Sequence, residues 1–170
     1  MRKAALAVLV VVTLVLGGNY LSATRHAFAV TGQTANNGIS VWAYHAYLMN
    51  PNVLVIDVRD VDGNKSIADV MRVFFQIAEQ FKDRQFSEIQ LASRGTTKFL
   101  IRPQHFQTIG RTFATENPMY LLRTLPENIR RPDGRPAFET WTGGVLGVLG
   151  AQMDDLTRFA RKWFLNDYTR

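Results

Sequence analysis

A chain of 170 residues, 46% apolar and 20% charged, can bury one core and does not have the composition of a disordered segment. It has no cysteine, which excludes a disulfide framework, a thiolate metal site, a cysteine nucleophile and a lipidated leader. The net charge of +6 falls to +3, with 17 basic against 14 acidic residues, if Arg2, Lys3 and Arg25 leave with a cleaved leader. The remaining basic residues are spread along the chain, so no concentrated face for nucleic acid is expected.

Arg2 and Lys3 precede an apolar run from Ala4 to Leu16 that Gly17 and Gly18 interrupt. Residues 1–29 therefore read as a signal peptide or an N-terminal membrane anchor. Leu21-Ser22-Ala23 and Ala27-Phe28-Ala29 offer small residues for cleavage, and cleavage is the favoured expectation. The rival is a single-pass anchor through residues 4–24, which carry no charge and are just long enough to cross about 30 Å of hydrocarbon. Both readings place the domain outside the cytoplasm, as a periplasmic, secreted or inner-membrane-anchored protein of a cell envelope.

Residues 30–40 are polar and aperiodic, as a linker would be, and residues 41–170 are expected to form one domain. Val41 to Met49 is aromatic and fits either a strand or a short helix. Val53 to Asp60 begins with four consecutive apolar residues, the pattern of a central strand buried on both faces. Ser66 and Asp69 form a capping box ahead of an amphipathic helix to Arg84. Phe86 to Ser93 and Thr96 to Arg102 alternate around Arg94-Gly95 as a hairpin, and a helix follows over 104–115. Residues 117–136 are broken by prolines, with a short helix at 119–123. The expected fold is α+β: a small mixed sheet of about three strands, in the order strand-helix-strand-strand-helix, with a long C-terminal amphipathic helix.

Asp60, Asp62 and Asp69 around Gly63 resemble part of a calcium loop, but Val58 stands where the first ligand belongs. A capped turn is the better reading, and no metal or cofactor is expected. His26, His45 and His105 show no zinc spacing, and no G-x-S-x-G or S-x-x-K nucleophile is present. The basic irregular segment offers Arg123, Arg130, Arg131 and Arg135 around Pro132-Asp133-Gly134, where guanidinium groups could grip a carboxylate or phosphate.

The remaining feature is Trp141 to Gly150, with four glycines ahead of the last helix. On a helical wheel Leu146, Leu149, Met153, Leu156, Ala160 and Trp163 face the core, whereas Gly143, Gly147 and Ala151 form a ridge opposite. The sequence does not match a phosphate loop. A turn is the first explanation, close packing of a partner against Gly147 the second, and anion binding the third. The expected function is a non-catalytic envelope domain that binds another protein or envelope component through Arg123, Arg130, Arg131, Arg135 and Gly147. The alternative is a small exported hydrolase using carboxylate and histidine chemistry.

Overall fold

The computed structural model describes residues 2–142 and 145–168. The architecture is α+β, as expected, but the mixed sheet has five strands in the order β1-β2-β3-β4-β5. They are β1 (Ile39–Ala46), β2 (Asn50–Val61), β3 (Glu88–Ser93), β4 (Thr96–Ile101) and β5 (Ile129–Arg130). β2 and β3 run parallel, from Val53 opposite Glu88 to Val58 opposite Ser93. All other neighbours are antiparallel.

The two strands missing from the sequence expectation were hidden for different reasons. In β1, Ile39, Val41 and Ala43 point into the core while Trp42 and Tyr44 lie on the outer face. Aromatic residues on the outer face erase the polar-apolar contrast that reveals a period of two. β5 is two residues long and has no period to read.

The helices are α1 (Arg2–Asn19), α2 (Arg25–Thr31), α3 (Ile67–Gln80), α4 (Pro103–Thr112), α5 (Pro118–Thr124), α6 (Val145–Ala160) and α7 (Asn166–Tyr168). Helix α3 starts at the expected capping box: Asp69 N–H donates to Ser66 Oγ at 3.2 Å, and Ser66 N–H donates to Asp69 Oδ2 at 3.0 Å. It supplies the centre of the core with Val70, Met71, Phe74, Ile77 and Ala78. Phe74 meets the rings of Phe75, Phe106 and Trp163, all buried. Helix α4 crosses α3 so closely that a Cβ on Gly110 would collide with the Ala78 carbonyl. This is a close approach that only glycine permits.

The last helix is shorter than expected. The α-helix ends at Ala160, a π turn spans Arg161–Leu165, and α7 adds three residues. Trp163 and Phe164, within the π turn, are both buried. Leu156 and Ala160 are buried as expected, with Phe159 beside them, but Leu149, expected to face the core, is exposed.

Residues 30–40 are tied down along their length. Val30 is buried, Asn36 Nδ2 donates to Val30 O at 2.9 Å and to Gln76 Oε1 at 2.7 Å, and Ile39 opens β1. At the other end of β1, Tyr47 and Leu48 occupy the left-handed region at φ 53° and 61°. They are the central residues of a turn closed by Met49 N–H to Ala46 O at 3.2 Å. Asn-Gly is the usual solution for such a turn, and each bulky L-residue there costs roughly 1–2 kcal/mol.

Candidate functional site

Among the described residues one helix, Lys3–Thr31, is long and apolar enough to cross a membrane. Its two parts have different surroundings. From Lys3 to Gly18 almost every residue is exposed, including Leu6, Leu9, Val11 and Leu14. From Asn19 onward the helix belongs to the domain: Ala23, Ala27 and Val30 are buried in the main core with residues of α3 and β1. His26 packs edge-on to Phe81 with ring centroids 5.2 Å apart, and Phe28 meets Trp42 at 6.3 Å.

The change of surroundings falls at a π turn, Tyr20–Thr24. Asn19 Oδ1 accepts from the backbone N–H of His45 at 2.8 Å. Ser22 Oγ lies 2.9 Å from His45 Nε2, and the carbonyl of Ser22 accepts from Arg84 Nη1 at 2.9 Å. Ser22 Oγ also donates to Gly18 O at 2.7 Å. Burial lowers the pKa of His45, so the ring is neutral near pH 7 and acts as a strut between helix and strand.

At the opposite edge of the sheet the chain leaves β5 through the predicted arginine loop. Arg131 N–H donates to Arg135 O at 2.8 Å and Gly134 N–H to Arg131 O at 2.9 Å, forming a tight hairpin. Arg135 is held by Asp133 through Nε and Nη2 at 2.9 and 2.6 Å, and Arg130 Nη1 donates to Gly134 O at 3.4 Å. Arg123 is separate, on α5, with its guanidinium over the Tyr120 ring at 5.3 Å. The hairpin thus gathers Arg130, Arg131 and Arg135, but two of them are occupied locally and Arg123 does not join them. Gly147 is exposed, with nothing within 4 Å of an added Cβ, and Gly150 is the same. Gly143 lies outside the described residues.

Arg131 instead lines a cleft of about 840 Å³ between residues 136–141 and α6. Trp141 and Glu139 form one wall, and Asp155, Arg158 and Lys162 the other. Asp155 is buried; it accepts from Trp141 Nε1 at 2.7 Å and is paired with Arg158. Its carboxylate therefore holds the wall in place. Arg158, Lys162 and Arg131 give the mouth a cationic rim that exceeds the single exposed carboxylate of Glu139. The sequence had carried a signal for this: 155, 158 and 162 are spaced three and four, on one helical face.

A second polar group, unforeseen in the sequence, sits on the outer face of the sheet. Buried Asp57 accepts from Arg59 Nη1 at 2.9 Å, from Gly95 N–H at 3.1 Å and from Tyr44 Oη at 3.3 Å. Burial and the Asp57 charge push the Tyr44 hydroxyl up to about 12. Arg59 also lies 4.9 Å over Trp42. Every partner is internal, so this network fixes the β1–β2 pair and the β3–β4 turn.

Among the described residues no group of three or more His, Asp or Glu could hold a metal ion. Asp69 is engaged by Ser66 and Arg72. His105 is the most perturbed histidine: burial, with the Arg102 charge, pushes it down to about 4. No hydrogen bond joins a histidine to a carboxylate among the described residues. Comparison with known proteins found no matching family model, curated protein or solved structure.

Proposed function

We propose that this is a single-pass, extracytoplasmic binding protein whose first helix is retained and whose domain holds an acidic segment of another envelope protein in the Arg131–Arg158–Lys162 cleft. The observation that carries the reading is the division of the first helix at Asn19. Cleavage after Ala23 or Ala29 would remove Asn19, Ser22 and Ala23 from the domain, and the later cut would also remove Ala27. It would also orphan the buried N–H of His45, which costs about 1–3 kcal/mol. Retention is therefore the reading consistent with the core. Arg2 and Lys3 ahead of the apolar run would keep the N-terminus in the cytoplasm and the domain outside.

The cleft supports the binding half of the reading. Its buried carboxylate is used internally, its rim is cationic, and its wall carries an indole that is partly exposed. Arginine and lysine on the rim suit carboxylates of an extended segment. The test is a photo-crosslinking residue at Lys162 in the membrane-embedded protein. The expected result is one protein adduct that is lost on Arg131→Glu and weakened by salt. Adducts that persist through charge reversal, or none at all, would reject the cleft as the binding site.

A further inference from the structure

The hairpin between β1 and β2 stands beside the place where the first helix leaves the domain. The chain climbs through α2, turns, and descends again as β1. Phe28 lies level with Trp42, and Asn19 and Ser22 lie level with His45. From Phe28 to Asn19 the helix falls about 13 Å, and from Trp42 to His45 the strand falls about 10 Å. The turn at Tyr47, Leu48 and Met49 follows His45, and Leu48 lines a groove with Asn19 and Thr24 at the level where the exposed part of α1 begins.

This turn is apolar and open. Tyr47 is 89% exposed and Met49 69%, with Leu48 also exposed, and Tyr20 and Leu21 add exposed apolar surface on the helix nearby. Large residues occupy both left-handed positions, where a turn selected for backbone geometry alone would carry Asn or Gly. The tip is also fixed rather than trailing, since His45 is bonded to the helix through its N–H and its ring.

Length supplies the occupant. Ala4 to Gly18 spans about 22 Å as a helix, less than the roughly 30 Å of a hydrocarbon core. Continuing through Tyr20 and Leu21 reaches about 27 Å, so the helix spans only if the domain rests on the bilayer.

We infer that the Tyr47-Leu48-Met49 tip inserts into the boundary between headgroups and acyl chains of the same bilayer that α1 crosses, giving the domain a second membrane contact and a fixed tilt. This rests on the retained helix proposed above. An aromatic residue and two apolar ones at this depth match the belt that anchors membrane proteins at their interfaces. Insertion would remove the tip from water without disturbing the core.

The absence of cysteine makes the test direct. Full-length protein carrying Met49→Cys, Leu14→Cys or Asn64→Cys is labelled with an environment-sensitive fluorophore and placed in phosphatidylcholine–phosphatidylglycerol vesicles containing lipid-borne quenchers. Asn64 is exposed in the turn after β2, at the other end of that strand from the tip. The expected result is a blue-shifted Met49 label that loses intensity nearly as strongly as the Leu14 label, while the Asn64 label is quenched only from water. A Met49 label quenched from water, beside a Leu14 label quenched by lipid, overturns the inference and leaves the anchor standing. A Leu14 label that lipid does not quench overturns both. A Tyr47→Cys label repeats the reading at the neighbouring position.

Discussion

The first helix contains two surfaces built from similar residues for opposite surroundings. Its first part, Lys3 to Gly18, shows leucine and valine on every side; its second part, Asn19 to Thr31, hides alanines and exposes Phe28 and Arg25. Large side chains all round suit a lipid solvent, where there is no face to distinguish. Small side chains at Ala23 and Ala27 let the helix lie close to β1 and α3, where close packing stabilises the domain. Average apolarity does not separate these two roles. Residue size, and the polar pair Asn19 and Ser22 at the boundary, do.

The strongest way to break this comparison is truncation at two points. Removing residues 2–18 should leave the unfolding temperature of the detergent-free domain within about 2 °C of the intact protein, because that part makes few contacts with the domain. Removing residues 2–29 should cost about 3 kcal/mol or more, through exposed core surface and the orphaned His45 N–H. Chemical denaturation of both forms measures the difference, and equal stability would show that the second part is dispensable.

Acid unsettles the domain chiefly through a buried histidine outside the first helix. His105 titrates at about 4 in the folded chain against an ordinary 6.5, because burial disfavours its charged form. Its folded pKa is depressed, so the unfolded chain binds the proton first. Stability is intact above pH 6.5 and falls as the pH drops toward 4, by about 3 kcal/mol in all. Denaturant midpoints against pH should show this slope equally in the full chain and in the form lacking residues 2–18. His105→Gln should flatten most of it.

Single substitutions sharpen the boundary itself. Asn19→Leu should destabilise by about 1–3 kcal/mol, since it removes the acceptor of a buried backbone donor. Thr13→Val, six residues earlier, should change stability by less than about 0.5 kcal/mol, because its hydroxyl bonds only to Leu9 O on an exposed surface. The smallest effect belongs to the far side of the molecule. Gly147→Ala should stabilise α6 by up to about 1 kcal/mol, as no neighbour meets the new Cβ. If the same change weakens capture of a partner, the glycine ridge is a contact surface.

Much of the domain was legible because its signals are local. The apolar run of β2, the Ser66–Asp69 box and the alternation around Arg94-Gly95 each specify an element within a dozen residues. β1 was ambiguous because Trp42 and Tyr44 sit over the Asp57–Arg59 network on the outer face, which no local pattern reveals. The arginines were visible as a cluster in sequence, but whether each was free depended on the hairpin around Gly134 and on Asp133. The cleft depended on Trp141 reaching Asp155 across fourteen residues. Gly110, whose bareness the packing against α3 requires, stands alone in an ordinary helix, whereas the conspicuous Gly147 and Gly150 face open space.

The fate of residues 1–29 tests the central claim most directly. Mass spectrometry of the chain recovered from fractionated cells should find it in the membrane fraction with the peptide spanning Ala29 and Val30 uncut. A soluble chain beginning at Thr24 or Val30 would contradict the account, because fully buried Ala23, and with the later start Ala27 as well, would then have left the core.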